Sequence, residues 1–378
     1  VAGVGPGAGM TQVVHVRSAQ GLYGAERSLL ALAAATEPPF EPRVVSLLRP
    51  GREDVLGAAA GRLGIPATRV AARGRLSPTA LGPLVRLARG GLLHAHDYKA
   101  LVLALAAGAL ARVPVVATFH GDTGHMPRVV LYERFARWAA RFTTGVAATS
   151  EPLAQRIRAA APRTPVHVIP NGIPVGPLPT PAGRASARQA LGLPASVPVV
   201  AFVGRLSPEK APEVLLRAIR GTSLRLLVAG EGPLRTALEA EADPEQVRFL
   251  GFLPDVGTVL AAADVLALPS RTEGLPMAAL EAMGAGLPVV ASAVGSLPEV
   301  LSDGAGVLVP PGDVAALRRA LEQLSVPGER GAVAAEARRR VESRYSAVTM
   351  ARRYRELLYQ PALDSTRGRA GSPLLHAR

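Results

Sequence analysis

Two carboxylates eight residues apart, Glu273 and Glu281, sit in the stretch ALPSRTEGLPMAALEAMGAGLPVVASAV at positions 267–294. An apolar strand runs into a short turn that carries Glu273. A helix expected over 276–285 carries Glu281, and a second apolar strand follows at 288–293. At ~1.5 Å of rise per residue, Glu281 lies roughly a turn and a half inside that helix. Glu273 lies on the loop at the carboxyl end of the preceding strand, the edge where open α/β sheets bind ligands. The helix opens on Gly274, Leu275, Pro276 and Met277, so free N–H groups and a positive dipole end are available to an anion. Paired carboxylates can work as an acid/base couple. Each can instead accept two hydrogen bonds from a vicinal diol.

Cations are placed upstream at similar strand ends. Gly204-Arg205-Leu206-Ser207-Pro208-Glu209-Lys210 follows the apolar run 199–203 directly, and Gly230-Glu231-Gly232-Pro233 closes the run 224–229. Lysine occurs only at Lys99 and Lys210, leaving 41 arginines. A compact ammonium is therefore wanted at Lys210 in particular. Arg205 and Lys210 can neutralise a diphosphate without a metal, and no D-x-D metal motif is present. Cations at one set of strand ends and carboxylates at another match a nucleotide-sugar, which carries a diphosphate between a ribose diol and sugar hydroxyls.

The first half of the chain offers His94-Ala95-His96-Asp97 after the run 92–95 and His120-Gly121 after the run 114–119. A strand-end histidine serves either as a satisfied structural group or as a ligand contact. Asp97 can equally cap the helix expected at 98–109. Gly21 and Gly24 punctuate a turn between the run 13–16 and a helix over 26–35. That turn is either a phosphate loop or a plain connection.

These positions must be held by two strand–helix alternations. Apolar runs predict strands at 13–16, 43–48, 67–71, 92–95, 114–119, 145–149 and 166–169. A second series falls at 199–203, 224–229, 247–250, 265–268, 288–293 and 306–309. Helical patterns lie between most of them. The fold class is α/β, as two doubly wound Rossmann-like domains with a cleft between them. Residues 11–170 make the first domain and 198–345 the second, with a proline-rich linker at 171–197. A terminal helix at 346–360 is expected to pack back on the first domain. Residues 1–10 are expected to be disordered or non-native, with Val1 marking an unusual start, and 361–378 to be a disordered tail.

Composition narrows the partners. With 378 residues and 48% hydrophobic content, the chain can build two sizeable cores. Its net charge of +14 favours anionic partners, although the arginine excess also matches a G+C-rich coding sequence. Aromatics are only 4% and no basic run interleaves with them, so a nucleic-acid partner is not expected. The absence of cysteine excludes disulfides and thiolate chemistry. No apolar run reaches a membrane span and no signal peptide is visible, so a cytoplasmic location is expected. The basic helix over 128–141 (RVVLYERFARWAAR) is either a solvated charged face or a dock for an anionic membrane surface, at the inner face of the membrane.

The runs FVGRLSPEKAPEVLLRA (202–218), LVAGEGPLR (227–235), VRFLGFLPDV (247–256) and ALPSRTEGLPMAALEAMGAGLPVVAS (267–292) together resemble the donor half of glycosyltransferase family 4, the retaining GT-B enzymes. The last run carries that family's E-x7-E motif as Glu273 and Glu281. Weaker matches are GLYGAERSLL (21–30), HAHDYKA (94–100), TFHGD (118–122), ATSEPLAQRI (148–157) and VIPNGI (168–173). The resemblance implies a metal-independent, retaining transfer from a nucleoside-diphosphate sugar, most often a UDP-sugar, to an unknown acceptor, with no cofactor. It implies that Arg205 and Lys210 hold the diphosphate, Glu281 the ribose, and Glu273 the donor sugar with the backbone of residues 274–277. It places Gly204, Gly230 and Glu231 on the donor side, and Gly21 and Gly24 under the phosphate. His120 is implied near the reacting carbon, and His94, His96 and Asp97 on the acceptor side. Gly21-Leu22-Tyr23-Gly24 departs from the adjacent glycines of many members. Other readings on this fold are a sugar phosphorylase or a nucleotide-sugar epimerase; a non-catalytic basic binding protein is a third.

Overall fold

The computed structural model describes residues 9–18, 21–73, 77–121 and 127–370, without the side chains of 127–129 and 367–370. Of the ends expected to be disordered, residues 1–8 and 371–378 lie outside the described residues. The chain forms two compact units. One contains residues up to Gly172 and everything from Ala347 onward, and the other spans Ile173–Ser346.

The first unit is built on a seven-stranded parallel sheet. Its strands are β1 (Thr11–Arg17), β2 (Phe40–Leu48), β3 (Ala67–Ala71), β4 (Leu92–Ala95), β5 (Val115–Phe119), β6 (Gly145–Ala148) and β7 (Val166–Val168), in the order β3-β2-β1-β4-β5-β6-β7. The second unit has six parallel strands: β8 (Val199–Val203), β9 (Arg225–Ala229), β10 (Val247–Gly251), β11 (Val265–Leu268), β12 (Val289–Ser292) and β13 (Val307–Val309). Their order is β10-β9-β8-β11-β12-β13. Each expected strand has its counterpart here, because short runs of Val, Leu and Ala buried on both faces are what a parallel sheet requires. Both orders are doubly wound. The chain direction reverses between β1 and β4 in one unit and between β8 and β11 in the other.

Period-two alternation divides each strand between two cores. In the first unit Val14, Val16 and Leu93 face one helical layer, while Val13, Leu92 and Val116 face Ala347, Met350, Tyr354, Leu358 and Tyr359. The end of the chain therefore supplies one face of the first sheet. The tail expected to be disordered from 361 instead continues as a helix, Gln360–Ala370. It is drawn into order by Ala362 and Leu363, which extend the same core. A helix at Glu151–Ala160 was also not expected, although the β6–β7 crossover needs one.

The proline-rich stretch 171–197 is not a free linker. Residues 173–197 belong to the second unit, and the helix Pro181–Ala190 within them is fastened to the sheet by Asp264. That carboxylate, 5% exposed, accepts from the Val199 amide at 2.9 Å, from Arg188 at 2.6 Å and from Arg184 at 2.6 Å; Arg330 bonds it as well. Arg188 also donates to the carbonyls of Ala262, Pro194, Ala195 and Val197. Composition does not reveal these tertiary contacts.

Asp264→Ala leaves the Arg188 guanidinium buried without its counter-ion. The expected loss is about 3–5 kcal/mol of stability in chemical denaturation of the second unit, the usual cost of stranding a buried charge. A loss of less than about 1 kcal/mol, the worth of a surface pair, would show that Asp264 is dispensable.

Candidate active site

Most of the candidate residues fall at the carboxyl ends of strands at or next to the two switch points. In the second unit, the Gly204–Lys210 loop follows β8 and the loop carrying Glu273 follows β11. Lys210 Nζ donates to both carboxylate oxygens of Glu273, at 2.6 and 2.7 Å, and Ser270 Oγ donates to Oε1 at 2.8 Å. The Glu273 side chain is 4% exposed and that of Lys210 26%. The two loops are also laced through backbone: Arg271 N donates to Glu209 O at 2.8 Å, and Arg271 Nη1 to Pro208 O at 2.7 Å. Arg205 is exposed beside them. The Glu209 carboxyl is held below the usual range, first by its own backbone amide and the Ser207 hydroxyl, with Arg205 and Lys210 adding their charge.

Glycine is required where these loops meet. A Cβ at Gly230 would lie 1.8 Å from Gly204 O, and Gly230 adopts φ +153, which L side chains rarely take up. The turns after β8 and β9 thereby stack backbone on backbone, with Leu206 N donating to Glu231 O at 2.9 Å. The side chain of Glu231 is committed elsewhere, to Arg235, and is half exposed. Gly274 is exposed, while Pro276 is buried and caps the helix Met277–Gly284 with no side-chain hydrogen bond. Leu275 and Met277 pack partly against the core. Glu281 is half-buried on that helix.

In the first unit the strand ends carry a histidine layer. Parity dictates it: His15 shares the face of Val13, His94 and His96 that of Leu92, and Thr118 and His120 that of Val116. In the register His15 is opposite His94, which is opposite Val116. A chain of ring contacts results, with His15 Nδ1 3.0 Å from His96 Nε2 and His96 Nδ1 3.2 Å from His120 Nε2. His94 is taken up separately, by Thr118 Oγ1 at 2.7 Å and Tyr359 OH at 3.0 Å, and Tyr354 OH reaches the same threonine at 2.9 Å. At the chain's ends His15 Nε2 and His120 Nδ1 have no well-formed partner, although Asn171 lies beside the His120 ring.

The residues expected on the acceptor side, His94, His96 and Asp97, have hydrogen-bond partners within the unit. Asp97 Oδ1 caps the helix Tyr98–Ala111 through the amides of Lys99 and Ala100, both at 2.9 Å, and Oδ2 accepts from Ser18 N at 2.6 Å. His120 alone of the three flagged histidines stands at the outer end of the layer, before Gly121. Gly21 and Gly24 bracket the N-cap Tyr23, whose amide donates to Glu26 Oε2 at 3.0 Å; residues 19–20 of that loop lie outside the described residues. Glu26 in turn binds Arg17, which also donates to the His96 carbonyl.

His15 was missed by sequence reasoning. Its signal was available: a histidine inside the apolar run VVHV, on the same parity as the strand's core residues. His15, His94 and His96 hold one potential ligand atom each within 4.8 Å of one another. Most of their nitrogens are already used: both of His94 meet hydroxyls and those of His96 meet His15 and His120, leaving His15 Nε2 as the unpaired one of the three rings. The chemistry that fits is a neutral hydrogen-bonded relay ending at His120.

Burial keeps the layer uncharged. It lowers His15 and His120 to about 3, and holds His94 and His96 well below the ordinary 6.5; the Arg17 charge adds to the effect on His96 and His120. Folded-state values below the unfolded one mean that stability is whole above pH 6.5 and is lost as pH falls from there toward 3. Each histidine contributes about 1.4 kcal/mol per pH unit within that window. Denaturation midpoints should therefore fall steeply below roughly pH 6, before most carboxylates titrate. A profile flat to roughly pH 4 would overturn a neutral layer.

The two halves of the chain match two family models in order. Residues 23–176 match the model described as Glycosyltransferase Family 4, and 197–325 that described as Glycosyl transferases group 1. A D-inositol 3-phosphate glycosyltransferase of Saccharomonospora viridis is 36% identical over 278 residues, covering 67% of this chain and 63% of the relative. One from Mycobacterium sp. (strain KMS) is 38% identical over 238 residues, covering 58% and 53%. The chain thus spans about half to five-eighths of the length of these relatives. Among solved structures, Anabaena HepE in complex with UDP-glucose superposes with a TM-score of 0.78 at 25% identity, covering 92% of this chain and 99% of that one. A sucrose-phosphate synthase from Thermosynechococcus elongatus gives 0.71 at 20%, covering 94% and 100%. With both models matched in order on two doubly wound sheets, the chain has the GT-B fold and belongs to glycosyltransferase family 4.

Proposed function

We propose that this protein transfers a hexosyl group from a UDP-sugar to an acceptor hydroxyl, with retention at the anomeric carbon and without a divalent metal. The observation that carries this reading is the Lys210–Glu273 pair at the second unit's switch point, its carboxylate buried and its ammonium partly open. There the free Lys210 valence and Arg205 can meet a diphosphate. An ammonium has three donors, and Glu273 fixes its direction without using them all. Glu273 thus acts as the positioning group of Lys210, a duty beyond contact with the sugar. Glu281 takes the ribose diol. HepE has been solved in complex with UDP, with UDP and glucose, and with UDP-glucose, which supports the donor class.

The chemistry needs no protein nucleophile. The bond from the anomeric carbon to the diphosphate breaks with its electron pair going to the phosphate oxygen, and Lys210 and Arg205 offset the growing charge. The acceptor oxygen bonds to the same face of that carbon and its proton passes to the departing phosphate. His120, held neutral and braced by His96, can donate or accept a hydrogen bond without bringing a charge.

UDP release from UDP-hexoses, with D-inositol 3-phosphate as the first acceptor because the relatives' name supplies it, tests the reading. Lys210→Ala is expected to lower turnover about 100-fold or more. Glu273→Gln keeps the hydrogen bonds but not the charge, and should lower it with the fold intact. Near wild-type turnover in a folded Glu273→Gln protein would sink the site assignment. Activity should persist in EDTA, and strict metal dependence would refute the mechanism. A product of inverted anomeric configuration by NMR would refute retention.

A further inference from the structure

The helix Pro127–Ala139 and the turn Ala140–Phe142 touch the core of the first unit by a narrow edge. Ala136, Ala139 and Ala140 are its residues in that core. Elsewhere Leu131, Phe135, Trp138 and Phe142 are 63, 47, 43 and 61% exposed. The first three, spaced by four and three residues, fall within an arc of roughly 60° on a helix turning about 100° per residue, and Phe142 joins them from the turn. The rings form one surface: Phe135 and Trp138 centroids lie 5.6 Å apart, Trp138 and Phe142 5.2 Å. Arg141 stacks over Trp138 at 4.9 Å.

Single exposed apolar residues are ordinary, but a contiguous stripe of four marks a contact surface. Its border is cationic: Arg134 and Arg141 are both exposed along one side. The side chain of Arg128, part of the basic helix read from sequence, lies outside the described ones. A second copy of the chain is the poorer occupant. Isologous pairing would set the arginines of both copies close together, on proteins already carrying a net charge of +14. Aromatic and leucine side chains beside arginines suit the boundary between headgroups and acyl chains of an anionic bilayer. Among the described residues no helix is long and apolar enough to cross a membrane, so contact would be interfacial.

We propose that the face formed by Leu131, Phe135, Trp138 and Phe142 docks on a bilayer containing anionic phospholipid, with Arg134 and Arg141 meeting headgroup phosphates. This goes beyond the transfer reading and does not rest on it. The sequence had offered the arginines as the dock; here the apolar stripe does the anchoring and the arginines select the lipid.

Trp138 is the protein's single tryptophan, so its emission reports on this face alone. Full-length protein is mixed with phosphatidylcholine vesicles, with or without phosphatidylglycerol, and followed by flotation and fluorescence. The expected result is co-flotation and a blue shift with phosphatidylglycerol only, weakened by salt. Phe135→Ser with Phe142→Ser, both at exposed positions, should weaken binding about tenfold or more without changing the thermal melt. Arg134→Glu should weaken binding at low salt and flatten the salt dependence. Flotation without a Trp138 shift, or undiminished flotation of the double serine variant, would place the contact elsewhere. A blue shift without lipid, rising with protein concentration and with a doubled mass, would assign the face to a second copy. No flotation at all would overturn the proposal.

Discussion

In a parallel sheet all strands end in one direction, and the two strands flanking the switch point send their following helices to opposite faces. Their loops diverge and leave backbone and side chains exposed at one edge. That constraint acts in each unit of this chain. In the second it puts the Arg205–Lys210 loop beside the Glu273 loop, although more than sixty residues separate Lys210 from Glu273. In the first it brings the ends of β1, β4 and β5 together, and with them His15, His96 and His120. The glycines follow from the same crowding, since Gly230 has room for nothing larger against Gly204.

The two edges handle charge in opposite ways. The Glu273 carboxylate, nearly closed off from solvent, is satisfied by Lys210 and Ser270 together, and removing either charge would strand the other. The histidine layer avoids charge altogether. With no carboxylate in the ring chain and Arg17 close by, protonating any member would place a cation in a dry site beside another cation. Arg17 is tolerated there because Glu26, 3% exposed, neutralises it from the following helix. The second unit's edge thus holds a neutralised ion pair, and the first unit's holds rings without charge.

The strands were legible because burial on both faces writes them as short apolar runs closed by Gly or Pro. The carboxylate pair and its cations were legible because they sit where those runs stop. What sequence alone did not convey was contact. Nothing in VVHV announces that His15 lies against His96, since the pairing is set by sheet order and by parity across strands far apart in the chain. Asp97 was left open between a cap and a contact, and its hydrogen bonds decide for the cap and for Ser18. The stretch 171–197 misled for a different reason. Proline density signals local stiffness, whereas Arg184 and Arg188 are tertiary ligands of Asp264, visible only once the sheet edge is in place.

The end of the chain has a consequence for assembly. Residues 173–346 form the second unit without interruption, but the first needs Ala347 onward to cover Val13, Leu92 and Val116 and to give His94 its Tyr359 partner. Without the terminal helices, His94 and Thr118 lack the two tyrosine hydroxyls, and Val13, Leu92 and Val116 lose Met350, Tyr354, Leu358 and Tyr359 as cover. Burying Tyr354, Leu358 and Tyr359 against that face contributes about 1.5–3 kcal/mol per large side chain, so the open state is disfavoured as soon as the helix exists. The second unit can therefore close on its own segment during synthesis, while the first completes only after the chain has returned to it. The histidine layer, which requires a dry environment to remain neutral, is finished at that last step.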